Sequence, residues 1–308
     1  MASTCFGAPK QEARIITVNG PIPTNQLGCT LTHEHILVDF SGADTPAVKY
    51  DPADVVARAV PHMQELKSYG VKTLAECTPM YIGRNVRLLR RISKESGMQI
   101  ITNTGYYGAR NGAFIPEYDK GKSAKELAAI WLVEIRNGID GTDIFPGFIK
   151  IGVNPGPLNK IDRNLIRAAA ITCKESGLPI HSHTGGSPEA GFEQIQILKE
   201  EGVSPRSWVW VHAHGVKNLE DLRPAFESGA WISFDGLRPT EKSVDRIANC
   251  IRFSKENGWL KQILLSHDAG WYNPAEPDGG EHRPYTVCFT HLQEAARKIG
   301  IDKTRLRS

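Results

Sequence analysis

The sequence predicts an α/β chain folded as a single (β/α)8 barrel, the TIM-barrel architecture. Three observations carry this. Eight short apolar runs alternate with eight amphipathic stretches, with no linker between halves. Glycine follows almost every amphipathic stretch, as a left-handed helix C-terminus requires. Seven of the ten histidines (His33, His35, His181, His183, His212, His214 and His267) fall where an apolar run ends. In a barrel those ends share one mouth, where function sits. The competing architecture is an open doubly wound sheet. No Gly-X-Gly-X-X-Gly follows the first strand, so a dinucleotide fold has little support.

Taken in order, residues 1–26 form an N-terminal extension. Its Val18-Asn19-Gly20-Pro21 stretch is a turn signal that suits a small hairpin. Residues 27–308 form the barrel domain. Its first strand spans 28–31 and presents His33 and His35 at its end. A long polar loop, 39–52, leads to a helix over 53–69, with Asp51 as N-cap and Pro52 at its first position. The remaining strands are expected at 72–77, 99–103, 147–153, 179–183, 208–212, 231–235 and 262–266. The remaining helices are expected at 84–96, 123–137, 162–176, 188–201, 218–228, 242–257 and 285–299. The strands are continuous apolar runs, as burial on both faces demands. Two loops stand out: 104–121, rich in glycine and tyrosine, and the long Gly/Pro/Asp loop after 266.

The composition, 40% hydrophobic and 23% charged, is that of an ordinary globular protein, and 308 residues bury a large core. The net charge of +3 is small and dispersed, which argues against nucleic-acid and membrane partners. The six cysteines are far apart and form no Cys-X-X-Cys, so neither a disulfide framework nor a zinc ribbon is expected. No apolar signal region and no run of membrane-spanning length is visible; a cytoplasmic setting is expected.

The chemistry lies at the strand ends. His33 and His35 stand at i and i+2 of an extended segment, so their imidazoles address one region, as a metal such as zinc requires. A His-X-His pair alone is unspecific. His181-Ser182-His183, His212-Ala213-His214 and Ser266-His267-Asp268 repeat the pattern on three more strands. Lys150 sits inside the apolar run Phe148-Ile149-Lys150-Ile151. A buried ammonium is costly unless paired. Lys150 therefore either meets a carboxylate, reaches solvent, or loses its charge and takes up CO2 as a carbamate. A carbamate can bridge two metals, and a two-metal site accounts for the whole set. Such a pair shares an activated hydroxide, polarises the scissile group, and leaves Asp268 placed to accept a proton.

Taken together, Thr30-Leu31-Thr32-His33-Glu34-His35, Ile82-Gly83-Arg84-Asn85, Gly147-Phe148-Ile149-Lys150, His183-Thr184, Glu200-Glu201-Gly202-Val203-Ser204-Pro205 and Ser266-His267-Asp268 are specific in their order. On them the chain resembles the phosphotriesterase-like branch of the amidohydrolase superfamily over most of its length. The resemblance implies two divalent ions, zinc first among the candidates, with manganese, iron or cobalt as alternatives. It implies one metal held by His33, His35 and Asp268, and a second by His183 and His212, with carbamylated Lys150 bridging. It implies a metal-bridging hydroxide attacking an ester, lactone or phosphotriester, with Asp268 as catalytic base, and a homodimer. On strand six, register favours His212 as ligand, and His214 stays open as the alternative. His181 is expected as a hydrogen-bonded interior histidine. Alternation points His267 away from the centre, towards a structural role.

Tyr107 matches the family position where an aromatic faces the metals. In the lactonase branch that residue is tyrosine; in phosphotriesterase proper it is tryptophan. Trp271 and Tyr272 are expected to form an apolar wall, and Arg238 is a further substrate-binding candidate. Two departures matter. Gly236 stands after Phe234-Asp235, where the family often has His or Arg, and the acidic run that supports proton relay in phosphotriesterase proper is missing. The sequence also stops at Ser308 without the family's Asn-Pro-Ala-Arg segment, so a shortened C-terminus is expected. The expected activity is hydrolysis of a small lactone or carboxylic ester, with weak phosphotriester hydrolysis beside it. The alternatives are a phosphoesterase or amide hydrolase on the same metals, or a catalytically silent barrel that binds a metal or ligand.

Overall fold

The structure is a computed structural model and describes residues 13–301. A hairpin opens it: β1 (Arg14–Thr17) pairs antiparallel with β2 (Gly20–Pro23) across the Val18–Asn19 turn. The buried Val18 docks the hairpin on the barrel, its N–H donating to the Ile100 carbonyl at 2.8 Å.

The barrel wall then alternates with helices. In order it runs β3 (Cys29–Glu34), α1 (Pro52–Ser68), β4 (Val71–Glu76), α2 (Val86–Ser96), β5 (Gln99–Ile101) and β6 (Asn103–Thr104). The short α3 (Glu117–Lys120) precedes α4 (Ala124–Asn137), β7 (Phe148–Gly152), α5 (Lys160–Ser176), β8 (Ile180–His183) and α6 (Pro188–Glu200). Then come β9 (Trp208–Val211), α7 (Arg223–Glu227), β10 (Trp231–Phe234), α8 (Glu241–Glu256), β11 (Ile263–Leu265), α9 (Val287–Thr290) and α10 (Leu292–Lys298). All barrel pairings are parallel, in the order β3-β4-β5 and β6-β7-β8-β9-β10-β11. β5 and β6 are one wall position interrupted at Thr102, whose carbonyl accepts from the Gly147 N–H. The seam between β11 and β3 closes through the strand ends. His33 N–H donates to Ser266 Oγ at 3.0 Å, and Asp268 N–H to the His33 carbonyl at 3.1 Å.

Local chemistry accounts for the boundaries. Asp51 caps α1, Asn85 caps α2, and Ser123 and Asn159 form capping boxes with Glu126 and Asp162. Gly70, Gly97, Gly138, Gly177, Gly202, Gly229 and Gly258 follow their helices in the left-handed region. Some expected elements shift. The helix expected from 84 starts at Val86, because Arg84 is drawn inward: it donates to the Asn103 carbonyl and pairs with the buried Glu134. The helix expected over 218–228 is a 3-10 turn followed by α7, with Pro224 in its first turn. The last expected helix breaks at His291 into α9 and α10. The first strand runs three residues further than expected and takes in His33.

Alternation along the wall sorts two environments. Ile149, Ile151, Trp208, Trp210, Ile232 and Phe234 join the large core with the helices. Ala75, Cys77 and Phe148 form a small apolar layer of their own. Lys150 alternates with Ile149 and Ile151, so it shares the Phe148 face, inside the barrel.

Candidate metal centre and active-site cleft

The sequence-predicted ligands converge on a cavity of about 80 Å³ at the carboxyl ends of the strands. His33, His35, Lys150, His183, His212 and Asp268 all line it. The imidazoles of His33 and His35 lie 5.3 Å apart, His33 and His212 4.9 Å, and His183 and His212 4.6 Å, centre to centre. His35 Nε2 is 3.1 Å and His33 Nε2 3.6 Å from Asp268 Oδ1. Donors around a tetrahedral zinc with bonds of roughly 2.0–2.1 Å lie about 3.3 Å apart. The two Asp268 distances bracket that value, and the three donor atoms all fall within 4.8 Å of one another, so the group could hold a cation.

Outer partners fix the His35 and His212 rings. The Thr78 hydroxyl has one hydrogen, and its acceptors are Glu76 and the Leu37 carbonyl. With that hydrogen given to either acceptor, His35 Nδ1, 2.8 Å from Thr78 Oγ1, is the donor, which leaves Nε2 unprotonated on the cavity side. Asp235, wholly buried, does the same for His212. Its Oδ1 accepts from Nδ1 at 2.7 Å, while Oδ2 lies 3.4 Å from His33 Nδ1 and accepts from the Ser233 hydroxyl. Burial, and then Lys150, holds the His33 imidazole well below its usual range; burial, and then His212, does so for His183. Neutral imidazoles are the metal-ligating form. Burial lowers His212 too, but Asp235 overrides it and its net shift is upward. Burial works against the Asp268 carboxylate, yet the His35 contact brings it below its usual range.

Lys150 is buried, with 2% of its surface exposed, and no carboxylate lies within 4.0 Å of its amine among the described residues. Burial pushes the amine below its ordinary range. A lysine in this state is suited to carbamate formation, which would restore a negative group between the imidazoles.

The backbone at the mouth is strained at three of the candidate residues. His212, Asp268 and Trp271 all have positive φ (63°, 53° and 69°) without being glycine. For Asp268 the cause is visible. Glu34 lies between the two histidines in sequence but points into the seam by alternation. Its Oε1 accepts from Ser266 Oγ, His267 N–H and His267 Nδ1 at 2.7–2.9 Å, and its Oε2 from Ala269 N–H at 2.9 Å. Both neighbours of Asp268 are thereby gripped. His267 has the expected structural role, and its Nε2 accepts from Cys288 N–H at 3.0 Å.

Other calls divide. Tyr107 and Trp271 line the cavity, with the Tyr107 ring 5.0 Å from His183 and the Trp271 ring 5.5 Å from His35. Burial, then Asp268, pushes the Tyr107 phenol upward, so it stays protonated. Tyr272 does not share that wall; it lines a separate surface cleft with Arg58 and His62. Arg238 is engaged by the seam: its guanidinium donates to the His267 and Asp268 carbonyls and lies 3.6 Å from Asp268 Oδ2. His212 lines the cavity, whereas His214 lies over Gly236, where a Cβ would come within 1.9 Å of its Nε2. His181 lies tilted against Phe148, ring centres 4.6 Å apart, and its Nδ1 has no hydrogen-bond partner among the described residues, unlike the expectation. Sequence reasoning missed Glu34, Thr78 and Asp235 as positioning groups. Asp235 was visible as an acid at a strand end; Thr78 and Glu34 act through loops and a seam that no local pattern reveals.

An eight-stranded barrel whose mouth gathers imidazoles, a lysine and a carboxylate defines a metal-dependent hydrolase. The Phosphotriesterase family signature matches residues 13–304, and the chain belongs to that family. It is 31% identical to a phosphotriesterase homology protein from Escherichia coli, covering 84% of this chain and 88% of that one. It is 32% identical to an aryldialkylphosphatase from Saccharolobus solfataricus, covering 80% and 78%. An N-acetyltaurine hydrolase from Salmo salar is 26% identical over 96% of this chain and 95% of its own. A double mutant of an organophosphorus hydrolase from Deinococcus radiodurans superposes with a TM-score of 0.85 at 26% identity, covering 99% and 96%.

Proposed function

We propose that this hydrolase carries two divalent ions and cleaves a lactone or carboxylic ester, with phosphotriesters as poor substrates. The observation that carries it is the fit of His33, His35 and Asp268 to one cation, with His183, His212 and Lys150 on the same cavity. In this reading His33, His35 and Asp268 hold one metal, His183 and His212 the other, and Lys150, as a CO2-derived carbamate, joins them. Zinc suits the nitrogen-rich set best. The metals would supply Lewis acidity and a water of lowered pKa.

The chain's own groups do the rest. Asp268 Oδ2 is free of the histidine contacts at Oδ1 and takes the proton released at the attack, with Arg238 beside it. The protonated Tyr107 phenol donates to a substrate ring or leaving-group oxygen. Phe40 and Trp271, 5.3 Å apart, shield the reacting group from water. Tyrosine rather than tryptophan at 107, and Gly236 in place of a basic side chain, favour the lactone reading over phosphotriester hydrolysis. Amide hydrolysis is the second reading, favoured by the likeness to N-acetyltaurine hydrolase.

A panel of lactones, esters, N-acetyl amides and a phosphotriester, read by a pH indicator, tests the substrate class. No turnover on any of them would defeat the proposal. Lys150→Ala tests the bridge. It should lose at least one metal per chain by elemental analysis and most activity; a variant with full metal content and full activity would rule the bridge out.

A further inference from the structure

Beyond the metal cavity the mouth widens into a cleft of about 540 Å³, walled by Phe40, Tyr107, Trp271, Gly185 and Gly186 and reached by Arg110. No Asp or Glu lines this outer cleft. Among the described residues, no carboxylate lies within 4.0 Å of the Arg110 guanidinium and no hydrogen bond engages it. Arg58, Arg84, Arg90, Arg163, Arg223 and Arg238, by contrast, all bond carbonyls or carboxylates.

Arg110 is nevertheless held in place. Its Cζ lies 5.1 Å from the Phe40 ring and 5.8 Å from the Phe114 ring, so two aromatic faces brace the cation. Its backbone is in the left-handed region, φ 56°, and so is that of Asn111. The turn is pinned by Asn111 N–H on Asn154 Oδ1 at 3.0 Å and by Gly112 N–H on the Gly108 carbonyl at 2.8 Å. A strained turn that holds an unpaired cation at the rim of a cleft without acids is built to meet an anion.

The spacing describes what lies between. Phe40 touches Trp271 at 5.3 Å, and Trp271 touches His35 at 5.5 Å, ring to ring. An apolar spacer of a few carbons along these rings would join a reacting carbonyl at the metals to an anion at Arg110. We propose that the cleft takes substrates whose far end carries a carboxylate, and that Arg110 selects them. This rests on reading the cleft as the hydrolase site.

The test is binding by calorimetry to metal-loaded protein, comparing hexanoate with adipate. The two share a carboxylate for the metals and a six-carbon chain, and differ in a methyl or carboxylate at the far end. The wild type should bind adipate roughly five- to tenfold more tightly at low salt, the range between an exposed and a partly shielded ion pair. Added salt should narrow the gap. Arg110→Gln, at an exposed position, should abolish the preference and leave hexanoate within twofold of wild type. Equal binding of the two acids by the wild type, no measurable adipate binding, or a preference that survives in the variant would overturn the proposal. The readout needs no turnover, so a failed substrate panel and a failed binding comparison are separate results.

Discussion

Replacing Glu34 by glutamine should open the seam that presents Asp268. Glu34 is wholly buried, and every neighbour within bonding distance offers it a hydrogen: Ser266 Oγ, His267 N–H, His267 Nδ1–H and Ala269 N–H. Glutamine has one acceptor oxygen. Its best placement keeps that oxygen at the Oε1 position, where it serves three donors, and turns the NH2 towards the Ala269 N–H. One charge-assisted bond is lost, and two buried donors face each other. At roughly 1.5–3 kcal/mol for the bond and 1–3 for an unsatisfied group, the cost is about 3–5 kcal/mol. That is a large fraction of a typical domain's stability. The loss falls on the flanks of Asp268, whose left-handed backbone persists only while both sides are held. Affinity for the metal at His33, His35 and Asp268 should then drop by roughly 10–100-fold, as it does when an outer partner of a ligand is removed. Urea unfolding with and without chelator measures the first effect, and metal content during stepwise dialysis measures the second. Should E34Q fail to fold, Ser266→Ala gives a milder version, with an expected loss of about 1–2 kcal/mol from two hydrogen bonds. An E34Q protein with a wild-type midpoint and wild-type metal retention would refute the reasoning.

Two further outcomes follow from the geometry. Gly236→Ala places a methyl 1.9 Å from His214 Nε2, so His214 must swing off its place 3.5 Å from Asp235. The expected cost is about 1–2 kcal/mol, and it should vanish when His214→Ala is combined with it; equal costs in both backgrounds would exclude the clash. The second concerns acid. His62 on α1 and His282 on the loop after β11 stack at 3.5 Å, faced by Arg58, Glu65 and Tyr285. Burial, and then the neighbouring His62 and Arg58, pushes His282 down to about 3; burial lowers His62 as well. Both take up a proton less readily folded than unfolded, where they titrate near 6.5, so their contribution is complete above about pH 6.5 and declines below it, for His282 until pH falls through about 3. The unfolding free energy, measured by urea titration, should decline by up to about 1 kcal/mol per pH unit below 6.5. His282→Phe, which keeps the stack without the charge, should flatten that slope; an unchanged slope would assign the acid sensitivity elsewhere.

The barrel was legible because its signals are local and repeated. Apolar runs such as Ile149-Lys150-Ile151 and Trp208-Val209-Trp210, each followed by a helical stretch and a glycine, specify wall and covering layer without reference to distant residues. The gathering of the candidate ligands on one cavity was legible for the same reason: in a parallel barrel, a residue's place at the end of a strand is also its place in the mouth. What stayed hidden depends on contacts across the seam and between loops. Nothing near Glu34 in sequence reveals that its carboxylate reaches Ser266, His267 and Ala269. Nothing near Arg238 reveals that carbonyls of the same seam take up its guanidinium. Tyr272 follows Trp271 directly yet faces a different cleft, because the left-handed backbone at Trp271 turns the chain between them. The ends of strands thus say which side chains line the inner cavity, while the left-handed turns at Arg110, Asp268 and Trp271 shape the space around it. Those turns are held largely by contacts distant in sequence, so the shape of the mouth is set by long-range contacts rather than by motifs.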